Sequence, residues 1–175
     1  MVEKTKIILD SDVVIHFMKA DSFYLLLGIF PEYKYLILDV VYNELKKHPS
    51  TQTFVDRYFS VMPDRLELVK FNPTGESRKE YFSLLKKPLG SGESACMIYC
   101  RDNHDVLGSS NMRDIIDYCQ QNGIVYLTTI DFLYYAFIRK KMTAKECAQF
   151  IETVNANGSH VPVVDIEKYV CHVHL

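Results

Sequence analysis

The chain of 175 residues holds no apolar run long enough to cross a bilayer. Stretches such as residues 24–30 and 132–138 stop far short of the ~20 residues a spanning helix needs. Residues 1–6 carry no apolar signal-peptide core, so the expected location is cytoplasmic, with no membrane partner. None of the five cysteines (Cys96, Cys100, Cys119, Cys147, Cys171) belongs to a Cys-x-x-Cys pair, and their number is odd. That argues against a disulfide framework and for buried free thiols. A formal net charge of −2 gives no general attraction to polyanions, so any nucleic-acid reading must rest on a site. No internal repeat, low-complexity stretch or linker divides the chain. Gly90-Ser91-Gly92 lacks the Gly-Lys-Ser/Thr that would make it a phosphate-binding loop. Asn157-Gly158-Ser159 has the form of a glycosylation acceptor but reads as a turn without secretion. What is present is 48% apolar and 24% charged residues, the composition of one globular domain with a real core.

The pattern of elements alternates. Lys6-Ile7-Ile8-Leu9 is a short apolar run suited to a buried strand, and Asp10 closes it. From Asp12, residues Val13, Phe17, Tyr24 and Leu27 recur at roughly helical spacing. Residues 35–38 are a second strand, and Asp39 is placed to cap a helix that runs to about His48, where Pro49 stops it. Residues 51–61 form another helix. Residues 66–71 read as a further strand or a connector, and residues 75–85 as a polar helix. Residues 86–92 form a loop by their Pro and Gly content. A helix over 93–101 precedes a strand at 105–108. A helix over 111–122 ends at Gly123, and a strand at 124–127 follows. Helices over 131–141 and 143–155 complete the pattern, the second opening on a capping box from Thr143 to Glu146. The expected fold is therefore α/β, a three-layer sandwich around a mostly parallel, Rossmann-like sheet of four to five strands. Residues 1–155 would form the domain, with residues 156–175 as a tail packed on it.

The carboxylates fall in a suggestive pattern. Open parallel sheets bind ligands beyond the carboxyl ends of their strands. Asp10 and Asp12 follow the first strand, and Glu44 lies on the helix after the second. Glu93 opens the helix after the Gly-rich loop, and Asn111 with Asp114 opens the helix after the third main strand. Two carboxylates ~4 Å apart at an effective dielectric near 20 repel by roughly 4 kcal/mol. Protons or hard divalent cations must relieve such a cluster, and two ions could activate water and stabilise the leaving oxygen of a phosphodiester.

These residues resemble a known family. Ile7-Ile8-Leu9-Asp10-Ser11-Asp12-Val13-Val14 resembles the opening motif of PIN-domain nucleases. Val40-Val41-Tyr42-Asn43-Glu44-Leu45 resembles the second motif, and Leu89-Gly90-Ser91-Gly92-Glu93-Ser94-Ala95 the third. Val106-Leu107-Gly108-Ser109-Ser110-Asn111-Met112-Arg113-Asp114 is similar to the fourth, with Asn111 where many members carry Asp. Residues 124–141 resemble the closing strand and helix of a PIN subgroup with a Thr-Thr-x-Asp-Phe-Leu-like stretch. The resemblance implies a PIN-like endoribonuclease that uses one or two Mg²⁺ or Mn²⁺ ions to cut single-stranded RNA. Asp10, Asp12, Glu44, Glu93, Asn111 and Asp114 would be its metal ligands, and Asp10, Glu44, Glu93 and Asp114 its catalytic residues. Small stand-alone proteins of this kind are often the toxin of a toxin–antitoxin pair, so an antitoxin protein and a homodimer are expected partners. Ser109 and Ser110 would orient the acids, and Arg113, Lys46 and Lys47 would contact nucleic acid.

Competing readings use the same residues. Asp10, Asp12, Glu93, Asn111 and Asp114 suit a helix start without any metal, Glu44 in mid-helix could lie on a solvated face, and the fold could serve as a nucleic-acid-binding or scaffold module. Asp10 and Asp12 also resemble the nucleophile and acid of haloacid-dehalogenase-type phosphatases. That family needs a late acidic pair after a strand, where this chain has Thr128, Thr129 and the single Asp131. The tail carries soft-metal ligand types (Cys171, His172, His174, with His160 upstream) at a spacing that matches no recognised zinc pattern. Phe132, Tyr134, Tyr135 and Phe137 read mainly as packing residues.

Overall fold

Ile7 and Ile8 point to opposite faces of their strand, yet both are fully buried, so the sheet is covered on both sides. The computed structural model describes residues 5–175. In chain order its elements are β1 (Lys6–Leu9), α1 (Ser11–Lys19), α2 (Phe23–Ile29), β2 (Lys34–Leu38), α3 (Asp39–Leu45), α4 (Pro49–Val61) and β3 (Leu66–Val69). There follow α5 (Gly75–Leu84), α6 (Ser91–Asn103), β4 (Val106–Gly108), α7 (Met112–Asn122), β5 (Tyr126–Leu127), α8 (Thr129–Ile138) and α9 (Ala144–Ala156). The strands form one sheet in the order β3-β2-β1-β4-β5. Every pairing is parallel, with Ile7 beside Tyr35 on one side and Val106 on the other. This is the α/β architecture expected, and residues 66–69 are an edge strand rather than a connector.

Several local expectations need correction. The single helical pattern from Asp12 to Leu27 is two helices, broken where Asp21 takes a left-handed φ of 50°. Pro49 does not stop a helix but starts α4 at its first position, where its missing N–H costs nothing. The helix before it has already ended at Leu45. Asp39 lies inside α3, and its Oδ1 accepts from the N–H groups of Val40 and Phe71, so it also holds the chain that leaves β3. Ser91 and Gly92 are the first turn of α6 rather than loop, with Gly90 as its N-cap. The expected end at Gly123 holds: its φ of 64° closes α7 in the left-handed conformation.

Aromatic packing fastens the helices together. Phe17 of α1 meets Phe132 of α8 and Phe150 of α9 at ring separations of 6.1 and 4.8 Å, and Phe30 packs on Tyr135 at 4.8 Å. Arg101 of α6 binds Glu80 and Ser77 of α5 and Tyr118 of α7. All five cysteines are buried free thiols. Residues 157–175 lie against α8 and α9, with Val161, Ile166, Cys171 and Val173 buried. The Tyr135 hydroxyl donates to the Val173 carbonyl and accepts the Leu175 N–H. Among the described residues no helix is long and apolar enough to cross a membrane.

Ile8→Ala empties part of the central strand's packing and is expected to cost about 2–5 kcal/mol in urea unfolding. Tyr24→Ala, at a side chain left 69% exposed, should stay within about 0.5 kcal/mol of the parent.

Candidate metal centre

The strand order sets the location. From β1 the chain builds outward through β2 and β3, then returns to add β4 and β5 on the other side. Neighbouring β1 and β4 thus send their following segments apart, which opens a crevice at their carboxyl ends. Asp10 leaves β1 at this seam, and Ser109 and Ser110 leave β4. Three bonds stitch the two sides together. The Asp10 N–H donates to the Gly108 carbonyl at 2.8 Å, the Ser109 hydroxyl to Asp10 Oδ2 at 3.2 Å, and the Ser110 N–H to Asp12 Oδ2 at 2.8 Å.

Two further helices deliver acids to the same place. The Ser11 N–H donates to Asp10 Oδ1 at 2.8 Å while the Ser11 hydroxyl donates to Glu44 Oε2 at 3.3 Å, so one residue ties α1 to α3. Glu44 Oε1 accepts from the Gly92 N–H at 2.8 Å and the Ser91 hydroxyl at 3.0 Å, which ties α3 to α6. A Cβ at position 92 would lie 2.8 Å from Glu44 Oε2, so any larger residue there would push the carboxylate aside. Glu93 is 5% exposed, and its Oε1 finds no hydrogen-bond partner among the described residues. At the start of α7, the Asn111 amide donates to Asp114 Oδ2 at 2.7 Å.

Electrostatics bind the group into one unit. Burial raises the Asp10 carboxyl well above its ordinary value, and Asp12 adds to it; the Ser11 N–H opposes, and Glu93 and Glu44 raise it further. Burial pushes Asp12 up to about 6 against the N–H groups of Ser110 and Val13. Burial, then Asp114 and Asp12, push Glu93 up to about 7, with the Asn111 side chain opposing. The charged groups that weigh most on Asp10 are all carboxylates. The donor set is hard oxygen throughout, the chemistry a divalent cation such as Mg²⁺ or Mn²⁺ prefers, and no described residue donates to Glu93 Oε1; among the described residues, though, no three of these acids bring oxygens within 4.8 Å of one another, so an ion would have to draw them closer.

No family model and no curated protein matches the sequence. Among solved structures, a chain of VapBC2 from Rickettsia felis, bound to a DNA fragment from their promoter, is similar with a TM-score of 0.53. Identity is 15%, over 71% of this chain and 98% of that one. The fold is PIN-like. At this identity the likeness speaks for the architecture, and the site must be judged on its own residues.

In this PIN-like frame the six expected ligand positions gather around the β1/β4 seam, though not alike. Asp10 and Glu93 are buried and Asp12, Glu44 and Asp114 half-buried, while Asn111 is exposed at the N-cap of α7 and engaged as a donor. Ser109 is fully buried against Asp10. Arg113 is exposed and shares a groove of about 320 Å³ with Asp114, Lys87 and Leu89. Lys46 and Lys47 lie exposed past the end of α3, Lys46 over the Tyr42 ring at 5.0 Å. The sequence reading assigned no role to Ser11, Ser91, Gly92, Thr129 or His16. Behind Ser110, Thr129 Oγ1 lies 2.7 Å from the Ser110 hydroxyl and 2.8 Å from His16 Nδ1. Burial, then Lys19, lowers His16 to about 4, which keeps the ring neutral near pH 7. The one available signal was that Ser11 and Gly92 each sit between or beside acids in short motifs.

Glu93 titrates at about 7 in the fold and near 4.5 when free. The native state therefore holds that proton more tightly, and stability is lost as pH rises from about 4.5 through 7. With metal removed by EDTA, Glu93→Gln is expected to exceed the parent's stability by about 1–3 kcal/mol at pH 8. The advantage should vanish below about pH 4.5 in urea titrations.

Proposed function

We propose that the protein is a divalent-metal-dependent endoribonuclease acting on single-stranded RNA, in the manner of PIN toxins. The observation that carries this reading is the buried carboxylate cluster at the β1/β4 seam, with Glu93 Oε1 lacking any donor among the described residues. Asp10, Asp12, Glu44, Glu93 and Asp114 would hold one or two Mg²⁺ or Mn²⁺ ions, with the Asn111 carbonyl as an added oxygen. Such ions supply Lewis-acid stabilisation of phosphoryl charge and lower the pKa of water.

The chain's own residues divide the remaining work. Asp10 is fixed at both oxygens by the Ser11 N–H and the Ser109 hydroxyl, and Glu44 by three donors. These two acids are held in place before any ligand arrives, which removes the entropic cost of ordering them. Glu93 is buried but less constrained, with one oxygen that no described residue donates to, so it is the acid most able to turn toward an ion or the water beside it. Lys87 and Arg113 border the groove that Asp114 shares, where they would meet backbone phosphates. The VapBC2 likeness supports an antitoxin protein as partner.

One observation favours a second reading, a nucleic-acid-binding module with little catalysis: the Asn111 amide spends its N–H on Asp114. The phosphatase reading finds less support, because the charges that weigh most on Asp10 are carboxylates.

Incubation of single-stranded RNA with the protein and Mn²⁺ should yield internal cleavage that EDTA stops. Asp10→Asn and Glu93→Gln should each lower the rate by about 100-fold or more. Intact RNA with the parent protein would leave the binding module as the better account. Hydrolysis of a small phosphomonoester instead would revive the phosphatase.

Gly92→Ala tests the role of Glu44 without removing a charge. The new methyl displaces the carboxylate, so Mn²⁺ affinity measured by calorimetry should fall about tenfold or more, with little change in the metal-free melting temperature.

A further inference from the structure

A second group of metal-ligating side chains lies away from the acid cluster, where α8 meets the C-terminal segment. Asp131, in the first turn of α8, is fully buried. Its Oδ2 accepts from the Thr128 N–H at 2.8 Å and the Thr128 hydroxyl at 2.7 Å. Its Oδ1 is met by the Tyr169 hydroxyl at 2.8 Å, Cys171 Sγ at 3.2 Å and His172 Nδ1 at 3.5 Å. One ligand atom from each of Asp131, Cys171 and His172 lies within 4.8 Å of the other two.

We propose that Asp131, Cys171 and His172 form a Zn²⁺ site that clamps the C-terminal segment to α8. Tetrahedral zinc, with bonds of about 2.3 Å to sulfur and 2.0 Å to nitrogen or oxygen, separates its ligand atoms by roughly 3.3–3.6 Å. The Sγ–Oδ1 and Nδ1–Oδ1 separations of 3.2 and 3.5 Å are already close to that spacing. Uptake forms Zn–S, Zn–N and Zn–O bonds, releases the Cys171 thiol proton to solvent and leaves the His172 proton on Nε2. A cation there also neutralises a carboxylate that the fold buries completely, where hydrogen bonds alone now support it.

The surroundings supply what a zinc site needs. Thr128 and Tyr169 fix the Asp131 carboxylate, and His172 packs on the Tyr126 ring with centroids 4.6 Å apart, so both ligands are oriented from outside. His172, Tyr169 and Thr128 also line a cavity of about 210 Å³, and His160 lines the same cavity. A fourth ligand, water or the His160 imidazole, would come from that cavity. A mixed sulfur, nitrogen and oxygen set selects zinc over the hard ions that suit the carboxylate cluster. The proposal therefore stands apart from the nuclease reading.

Titration of the metal-free full chain with Co²⁺ tests it, because a thiolate ligand produces a sulfur-to-cobalt charge-transfer band that carboxylates cannot. The expected result is that band at one Co²⁺ per chain, its displacement by Zn²⁺, and a higher melting temperature with Zn²⁺ bound. Cys171→Ser should abolish the band and, like His172→Ala, lower zinc affinity at least about tenfold. Glu93→Gln should leave the band intact, which separates this site from the acid cluster. His172 is 39% exposed, so its alanine variant keeps the test valid should the Cys171 variant fail to fold. Absence of the band in the parent, its persistence in Cys171→Ser, or unchanged zinc affinity in His172→Ala would each overturn the proposal.

Discussion

Mutual repulsion among carboxylates buried at the β1/β4 seam is the constraint around which the rest is arranged. A folded chain does not gather acids there without compensation. Three helices offer their amino termini to the cluster, α1 to Asp10 and Asp12, α6 to Glu93 and α7 to Asp114, and helix dipoles favour negative charge at that end. Backbone and hydroxyl donors from Ser11, Ser91, Gly92, Ser109 and Ser110 absorb more of the cost. What they leave over appears as raised proton affinities at Asp10, Asp12 and Glu93. Charge left unbalanced in this way is relieved by protons or by cations.

The first turn of α8 links the two regions of interest. Thr129 reaches Ser110 and His16 on the side of the acids, while Thr128 and Asp131 face Tyr169 and Cys171 on the side of the C-terminal segment. The start of this helix therefore touches both groups of side chains, the capping box on one side and Thr129 on the other. Carboxylate and hydroxyl oxygens lie on one side, and a mixed sulfur, nitrogen and oxygen set on the other. The difference follows from which residues each strand end and the tail bring forward.

Much of the fold was legible residue by residue. The unbroken apolar run at Ile7, Ile8 and Leu9 reads as a central strand, and Gly123 reads as a helix stop, because each signal acts within a few positions of itself. Pro49 misled for a physical reason, since proline suits the first turn of a helix as well as it ends one. The break after Lys19 was hidden because Val13, Phe17 and Leu27 are buried across two helices while the exposed Tyr24 happens to continue their spacing, and Asp21 turns the chain without a glycine to mark it. Ser11, Gly92 and Thr129 were passed over because their partners lie 33, 48 and 19 positions away or more.

The amino-acid order alone determined the alternation of strand and helix, the parallel sheet that alternation requires, and the placement of acids just past strand ends. These depend on periodicity, capping and turn chemistry, all local properties of the chain. Tertiary structure decided that β1 and β4 are neighbours, and hence that Asp10 meets Ser109 across 99 positions while Glu44 reaches Gly92. It likewise decided that Cys171 and His172 come to rest on Asp131. Strand order and the path of the tail are set by how whole faces pack together, and no short stretch of sequence carries that information.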